Sequence, residues 1–270
     1  MSERVSAAGQ EVACVTSEGT GPAVVLVHGN SSSARVWRSL LDGPFGRRFR
    51  CLALDLPGHG DSARGRAPED HAIPGYASVV ARFVEEVRAE EAVLVGWSLG
   101  GHVVLEAAER LPGVTGLVLF GAPPVSGPAD FGRAFLPNPA MNVGFTAEVD
   151  AEAARSYAAS FLAPGSVLPT DDLVADILAT DGAARAGLLA SIEAGNFADE
   201  VAVAATLDRP LAVLHGEGEQ LVSLDYLRSL DLPTLWRGEV QVLPGVGHAP
   251  HVEAPERFAD VLGQFMSDLV

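Results

Sequence analysis

Short runs of apolar residues rich in β-branched side chains recur along the chain, at positions 11–16, 23–28, 50–55, 92–97, 116–121, 211–215 and 239–243. Most are apolar on both sides of the chain rather than alternating, which predicts strands buried on both faces, as in a parallel sheet. Helical segments are predicted between them at 34–41, 76–88, 101–110, 224–230 and 255–269, the third of these stopped by Pro112-Gly113. Strands alternating with helices predict the α/β class, with a mostly parallel central sheet flanked by helices.

The rhythm breaks once. No strand-like run appears between Gly121 and Leu211; short Ala-rich helical pieces at 131–136, 151–162 and 170–179 are instead separated by Pro and Gly. A crossover between neighbouring strands needs only a helix, so these roughly ninety residues read as an insertion. The expected division is a core of residues 1–122 and 208–270 with a helical cap of residues 123–207. Phe131, Phe135, Met141, Phe145, Tyr157, Phe161 and Leu162 give the cap its apolar content. They either line a substrate pocket or pack the cap onto the core.

Composition narrows the partners. A net charge of −17 argues against nucleic acid and anionic membranes. The first residues lack the apolar stretch of a signal peptide, and no apolar run approaches the roughly 20 residues of a membrane-spanning helix. Cys14 and Cys51 lie in apolar strand-like stretches without metal-ligand spacing, so they are expected as buried thiols and the location as cytoplasmic.

The chemistry centres on Gly96-Trp97-Ser98-Leu99-Gly100, which joins a predicted strand to a predicted helix. A serine pinned in so tight a strand-to-helix turn is a nucleophile signature, and side chains at Gly96 or Gly100 would collide with neighbouring elements. The hydroxyl needs a base, and the base an orienting acid. His248 sits in Gly247-His248-Ala249-Pro250, on a glycine-containing loop leaving the last strand, and is the expected base; His251 is expected to cap the next helix or to face solvent. Glu219, three residues past Gly216, is the expected acid, with Glu217 and Asp225 as rivals. The main-chain amides of Asn30 and Leu99 are expected to form the oxyanion hole, because the apolar strand at 23–28 runs into a His28-Gly29-Asn30 turn. The Asn30 side chain would lie beside the reacting carbonyl. His28, Asp55 and His59 are assigned to turn structure. The pairs His102/Glu106 and His248/His251 lack a third ligand at plausible spacing, so neither a metal nor a cofactor is expected.

Taken together, the elbow, the His28-Gly29-Asn30 turn, Asp55-Leu56-Pro57-Gly58-His59-Gly60 and Gly247-His248 resemble the α/β-hydrolase fold, which implies a cap inserted after the sixth strand. His28-Gly29-Asn30-Ser31-Ser32-Ser33, Gly96-Trp97-Ser98-Leu99-Gly100-Gly101-His102, Ala122-Pro123-Pro124-Val125 and the glutamate at 219 resemble the metal-independent N-acyl-homoserine lactonases of that fold. The resemblance implies that Asn30 and Tyr157 contact the lactone; Trp97, Phe145 and Phe161 are the other expected substrate-binding residues. Gln220-Leu221 departs from it, standing where Pro-Phe is expected.

The expected function is a serine esterase of the lactonase kind, opening the ring of an acyl-homoserine lactone through a Ser98–His248–Glu219 triad and an acyl-enzyme, with a quorum-quenching role. The expected partner is a small-molecule ester or lactone. The alternatives are a broad carboxylesterase, a hydrolase of carbon–carbon bonds, and, from a different class, a non-catalytic ligand receptor.

Overall fold

Residues 2–269 are described by a computed structural model. Eight strands, β1 (Ser2–Ala7), β2 (Gln10–Thr16), β3 (Gly21–Val27), β4 (Phe49–Leu54), β5 (Val93–Trp97), β6 (Gly116–Phe120), β7 (Leu211–Gly216) and β8 (Gln241–Leu243), form one sheet. Its order is β1-β2-β4-β3-β5-β6-β7-β8. β2 pairs antiparallel with β1 and β4, and every pairing from β4 to β8 is parallel. The helices are α1 (Arg38–Asp42), α2 (Pro44–Arg48), α3 (Ile73–Glu86), α4 (Leu99–Ala108), α5 (Phe131–Ala134), α6 (Ala151–Ser160), α7 (Asp171–Ala179), α8 (Gly182–Glu193), α9 (Glu200–Thr206), α10 (Leu224–Ser229), α11 (Pro250–Glu253) and α12 (Pro255–Asp268).

Every residue of β5, β6 and β7 is buried, which is why these strands read as unbroken apolar runs. α3 buries Tyr76, Val80, Phe83 and Val84 along one side, and α12 buries Phe258, Leu262, Phe265 and Met266. Among the described residues no helix is long and apolar enough to cross a membrane. Cys14 and Cys51 are free and buried, and burial pushes both thiols up to about 12.

The differences from the sequence reading have local causes. β1 was not expected: among Glu3–Ala7 only Ala7 is buried, so the strand carries almost no apolar signal. Pairing with β2 through a two-residue turn forms it, with Ala8 and Gly9 both at positive φ as a twisted hairpin requires. β1 also makes Gly116–Phe120 the sixth strand. The predicted helix at 34–41 begins as a 3₁₀ turn over Ala34–Trp37 before α1, and α4 begins two residues earlier than predicted, directly after Ser98.

Between β6 and β7 run α5 to α9 and two 3₁₀ turns. α8 and α9 were not predicted. Buried residues of this segment, among them Ala154, Ile177, Leu188 and Ala204, share one continuous hydrophobic cluster with the sheet. Arg185 of α8, 3% exposed, donates to the carbonyls of Thr146 (2.7 Å), Ile177 (3.0 Å) and Ala147 (2.9 Å). A buried guanidinium saturating three main-chain acceptors ties the segment to itself.

Arg185→Met would leave those carbonyls without their donor, at a cost of about 1–3 kcal/mol for each acceptor left unsatisfied. Urea denaturation should show a loss of several times the change at exposed Arg155→Met. Equal losses would mean that the carbonyls find other donors.

Candidate active site

Ser98 stands between β5 and α4 with φ 52° and ψ −122°, a backbone conformation held only where the surroundings over-determine it. Its N–H donates to the Phe120 carbonyl on β6 at 2.9 Å, and its carbonyl accepts from Gly101 N–H at 2.8 Å. Close approach explains the glycines. A Cβ on Gly96 would lie 2.3 Å from the Gly100 carbonyl oxygen, and one on Gly100 would lie 2.2 Å from the Val27 carbonyl oxygen. α4 thus starts hard against the end of β3, and Leu99 N–H, in its first turn, has no partner within the helix. The His28-Gly29-Asn30 turn abuts the same point: a Cβ on Gly29 would stand 3.1 Å from Ser98 Cβ.

His248 enters from the loop after β8. Its Nδ1–H donates to Glu219 Oε2 at 2.8 Å, while Glu219 Oε1 accepts from Leu221 N–H at 2.7 Å. Burial opposes ionisation of Glu219, but the His248 charge and these hydrogen bonds together hold its carboxyl below the ordinary range. His248 Nε2 is buried and bonded to no protein group among the described residues. The ring has its place because Gly121 lacks a side chain: a Cβ there would meet His248 Cε1 at 2.5 Å. Trp97 Nε1–H donates to the His248 carbonyl at 2.9 Å. The loop is braced from the inserted segment as well, since Glu253 accepts from Gly247 N–H at 2.5 Å and from Ala163 N–H at 3.0 Å. Gln220 donates to the Leu162 carbonyl at 2.7 Å, which gives the residue departing from Pro-Phe a positioning contact.

A strained serine at a strand-to-helix turn, beside a carboxylate-backed histidine from a later loop, is the arrangement of one hydrolase fold. Residues 24–261 match the family described as Alpha/beta hydrolase family. The chain belongs to that family. Among solved structures it is similar to the N-acyl homoserine lactonase AidH complexed with N-butanoyl homoserine, with TM-score 0.95 and 31% identity over 100% of this chain and 97% of that one. It is also similar to the esterase RhEst1 from Rhodococcus sp. ECU1013, with TM-score 0.82 and 27% identity over 99% and 98% of the two chains. A curated relative, the pimeloyl-[acyl-carrier protein] methyl ester esterase of Methylococcus capsulatus (strain ATCC 33009 / NCIMB 11132 / Bath), is 29% identical over 94% of this chain and 98% of its own.

In this hydrolase Ser98 and His248 line a cavity with about 70 Å³ of room for the centres of water-sized molecules. Asn30, Leu99, Phe145 and Tyr157 line it too. Trp97 and Phe161, expected at the substrate, do not. They are 0% and 2% exposed and pack behind the His248 ring, each centroid 5.8 Å from it. The Asn30 side chain donates to the Gly144 carbonyl at 2.5 Å. Glu217 does not reach His248; its Oε2 accepts from Gly245 N–H at 3.0 Å. Asp225 sits in the first turn of α10.

The other histidines divide by their partners. His28 donates from Nδ1 to the Gly29 carbonyl at 2.7 Å and accepts Leu56 N–H at Nε2 at 3.0 Å, so the turn consumes both nitrogens. Asp55 accepts from Ala34 N–H at 2.5 Å and Asp61 N–H at 2.8 Å, joining two loops below the site. His251 neither caps nor faces solvent. Among the described residues both its nitrogens lack protein partners, and its ring lies against Trp37, Trp97 and Phe120 at 4.6, 4.8 and 5.1 Å. Burial and then the charge of His248 drive its pKa well below 6.5. His102, set aside at the sequence level, lines the cavity and pairs with Glu200, a residue the sequence reading did not single out.

Two outcomes are expected. Gly121→Ala should lower kcat/KM on an activated ester about a hundredfold, the scale of an ångström's misplacement; unchanged kinetics in a variant folded by circular dichroism would show that another contact seats the ring. Because the folded pKa of Glu219 lies below 4.5, its ionised form contributes stability above that value and loses it as pH falls through the folded value. The gap in unfolding free energy between wild type and Glu219→Gln should therefore narrow on acidification; a gap that widens would contradict the assignment.

Proposed function

We propose that the protein is a serine hydrolase that opens the lactone ring of N-acyl-homoserine lactones. The observation that carries this reading is the full-length similarity, at TM-score 0.95, to an N-acyl homoserine lactonase, together with a carboxylate-backed histidine facing the same cavity as Ser98. Ser98 Oγ attacks the ring carbonyl carbon while its proton passes to His248 Nε2. Glu219 fixes the tautomer and stabilises the imidazolium. The amides of Asn30 and Leu99 receive the developing oxyanion; one such donor is worth about 2.7–4 kcal/mol in the transition state.

Collapse of the tetrahedral intermediate breaks the ring C–O bond, and the leaving oxygen takes the proton from His248. Ser98 then carries an ester whose homoserine hydroxyl is still tethered. His248 next takes a proton from water, the resulting hydroxide attacks the ester carbon, and Ser98 leaves and regains its proton. The product is the ring-opened acyl-homoserine. Residues 123–207 serve as the cap, with Phe145 and Tyr157 against the substrate, while Trp97 and Phe161 position His248 from behind.

A broad carboxylesterase is the second reading, favoured by the similarity to RhEst1 and to the pimeloyl ester esterase. A panel of acyl-homoserine lactones and matched linear p-nitrophenyl esters separates the two by kcat/KM. Lactones turned over much faster than esters support the lactonase; inert lactones with fast ester cleavage overturn it and leave the esterase. In either series Ser98→Ala should abolish turnover while preserving the fold, and activity near wild type would remove Ser98 as nucleophile.

A further inference from the structure

Two carboxylate-backed histidines, not one, face the cavity. His102 lies one helical turn along α4 from Ser98, and its Nδ1–H donates to Glu200 at 2.8 Å from Oε1 and 2.9 Å from Oε2. Glu200 is 0% exposed and also accepts Val125 N–H at 3.0 Å, while its own N–H donates to the Val125 carbonyl at 3.0 Å. The pair therefore joins α4, the exit of β6 and the start of α9 at one point. Nothing in the proposed Ser98 chemistry uses it.

Holding a carboxylate in so dry a place is costly unless it is paired, and three contacts hold Glu200 in place. The consequence lies on the other side of the imidazole. When the ring is neutral, committing Nδ1–H to Glu200 leaves it one polar atom, the Nε2 lone pair. Among the described residues no protein group hydrogen-bonds it, and His102 lines the cavity beside the rings of Phe131, Phe135 and Phe197. A purely structural clamp for Glu200 would not require the ring to border a substrate cavity. His102 stands one turn into α4 past Ser98 and both residues line the same cavity, so the ring stands along the path of an acyl chain whose carbonyl sits at Ser98.

We propose that His102, oriented by Glu200, is a specificity-determining residue that accepts a hydrogen bond from a hydroxyl on the acyl chain, a few carbons beyond the scissile group. This rests on the hydrolase reading above, and it holds for a lactone or a linear ester alike. The substrate class it selects is the hydroxyacyl derivative over the unsubstituted and keto analogues, because a keto oxygen offers that lone pair no proton.

Three acyl chains test it, hexanoyl, 3-hydroxyhexanoyl and 3-oxohexanoyl, each as the homoserine lactone and as the methyl ester. Wild type should favour the 3-hydroxy chain over the plain chain by about tenfold in kcat/KM, the ratio that corresponds to one good hydrogen bond. In His102→Leu that ratio should fall to near one, whereas His102→Gln, whose amide oxygen can still accept, should retain part of it. A wild-type ratio near one overturns the proposal without any variant. So does a preference for the 3-oxo chain, which would make His102 a donor, and so does a ratio unchanged in a folded His102→Leu. Inert lactones with active esters would instead overturn the lactone reading alone, and the ratio is then read on the esters.

Discussion

The site depends on one strained turn. Ser98 at φ 52° is held because three strands and one helix converge where no side chain can fit between them. β6 supplies an acceptor for its N–H, the carbonyl at the end of β3 lies where a Cβ on Gly100 would stand, and Gly96 and Gly100 touch across the turn. Relaxing that turn would move the serine hydroxyl, the first amide of α4 and the Asn30 turn together, since Gly29 packs on Ser98 itself. The buried sheet is the anvil for this geometry: β5 and β6 are wholly buried and pair in register through Trp97 and Phe120.

Partners rather than residue type decide what each histidine can do. His248 has a carboxylate on Nδ1 and an unbonded, buried Nε2 in the cavity wall. His28 lies two residues from Asn30, yet both its nitrogens are spent on backbone. His251 follows His248 by three positions and is buried against aromatic rings, with no hydrogen bond to either nitrogen among the described residues. Dry aromatic surroundings keep an imidazole neutral, so His251 serves as a packing ring. The same rings include Trp97, whose indole N–H fixes the backbone of His248, so the aromatic packing behind the site bears directly on the geometry in front of it.

The segment between β6 and β7 is joined to the rest by both packing and polar ties. Its apolar residues share the sheet's core. The Phe161 carbonyl accepts Ala249 N–H at 2.8 Å, and Asp176 of α7 accepts from Ser33 Oγ at 2.7 Å. One anchor thus reaches the histidine loop and the other the loop that follows Asn30, so a shift of this segment would reach both sides of the cavity.

Much of this could be read from the chain alone. Parallel-sheet strands are buried on both faces, so their apolar runs stand out. The Gly-x-Ser-x-Gly turn is local, and its glycines are demanded by contacts within a few residues. The chain order of Ser98, Glu219 and His248, with Glu219 three positions past a strand-ending glycine, follows from strands whose exits share one edge. β1, α8 and α9 were not legible, because β1 takes its stability from pairing and Arg185 of α8 is buried by acceptors 8 to 39 residues away. Only the tertiary structure could decide that Trp97 and Phe161 stand behind His248, that His251 is enclosed, and that Glu200 meets His102 across 98 positions. Periodicity and turn chemistry act over one or two turns of chain, whereas burial and hydrogen-bond partners belong to the packed surface that only folding creates.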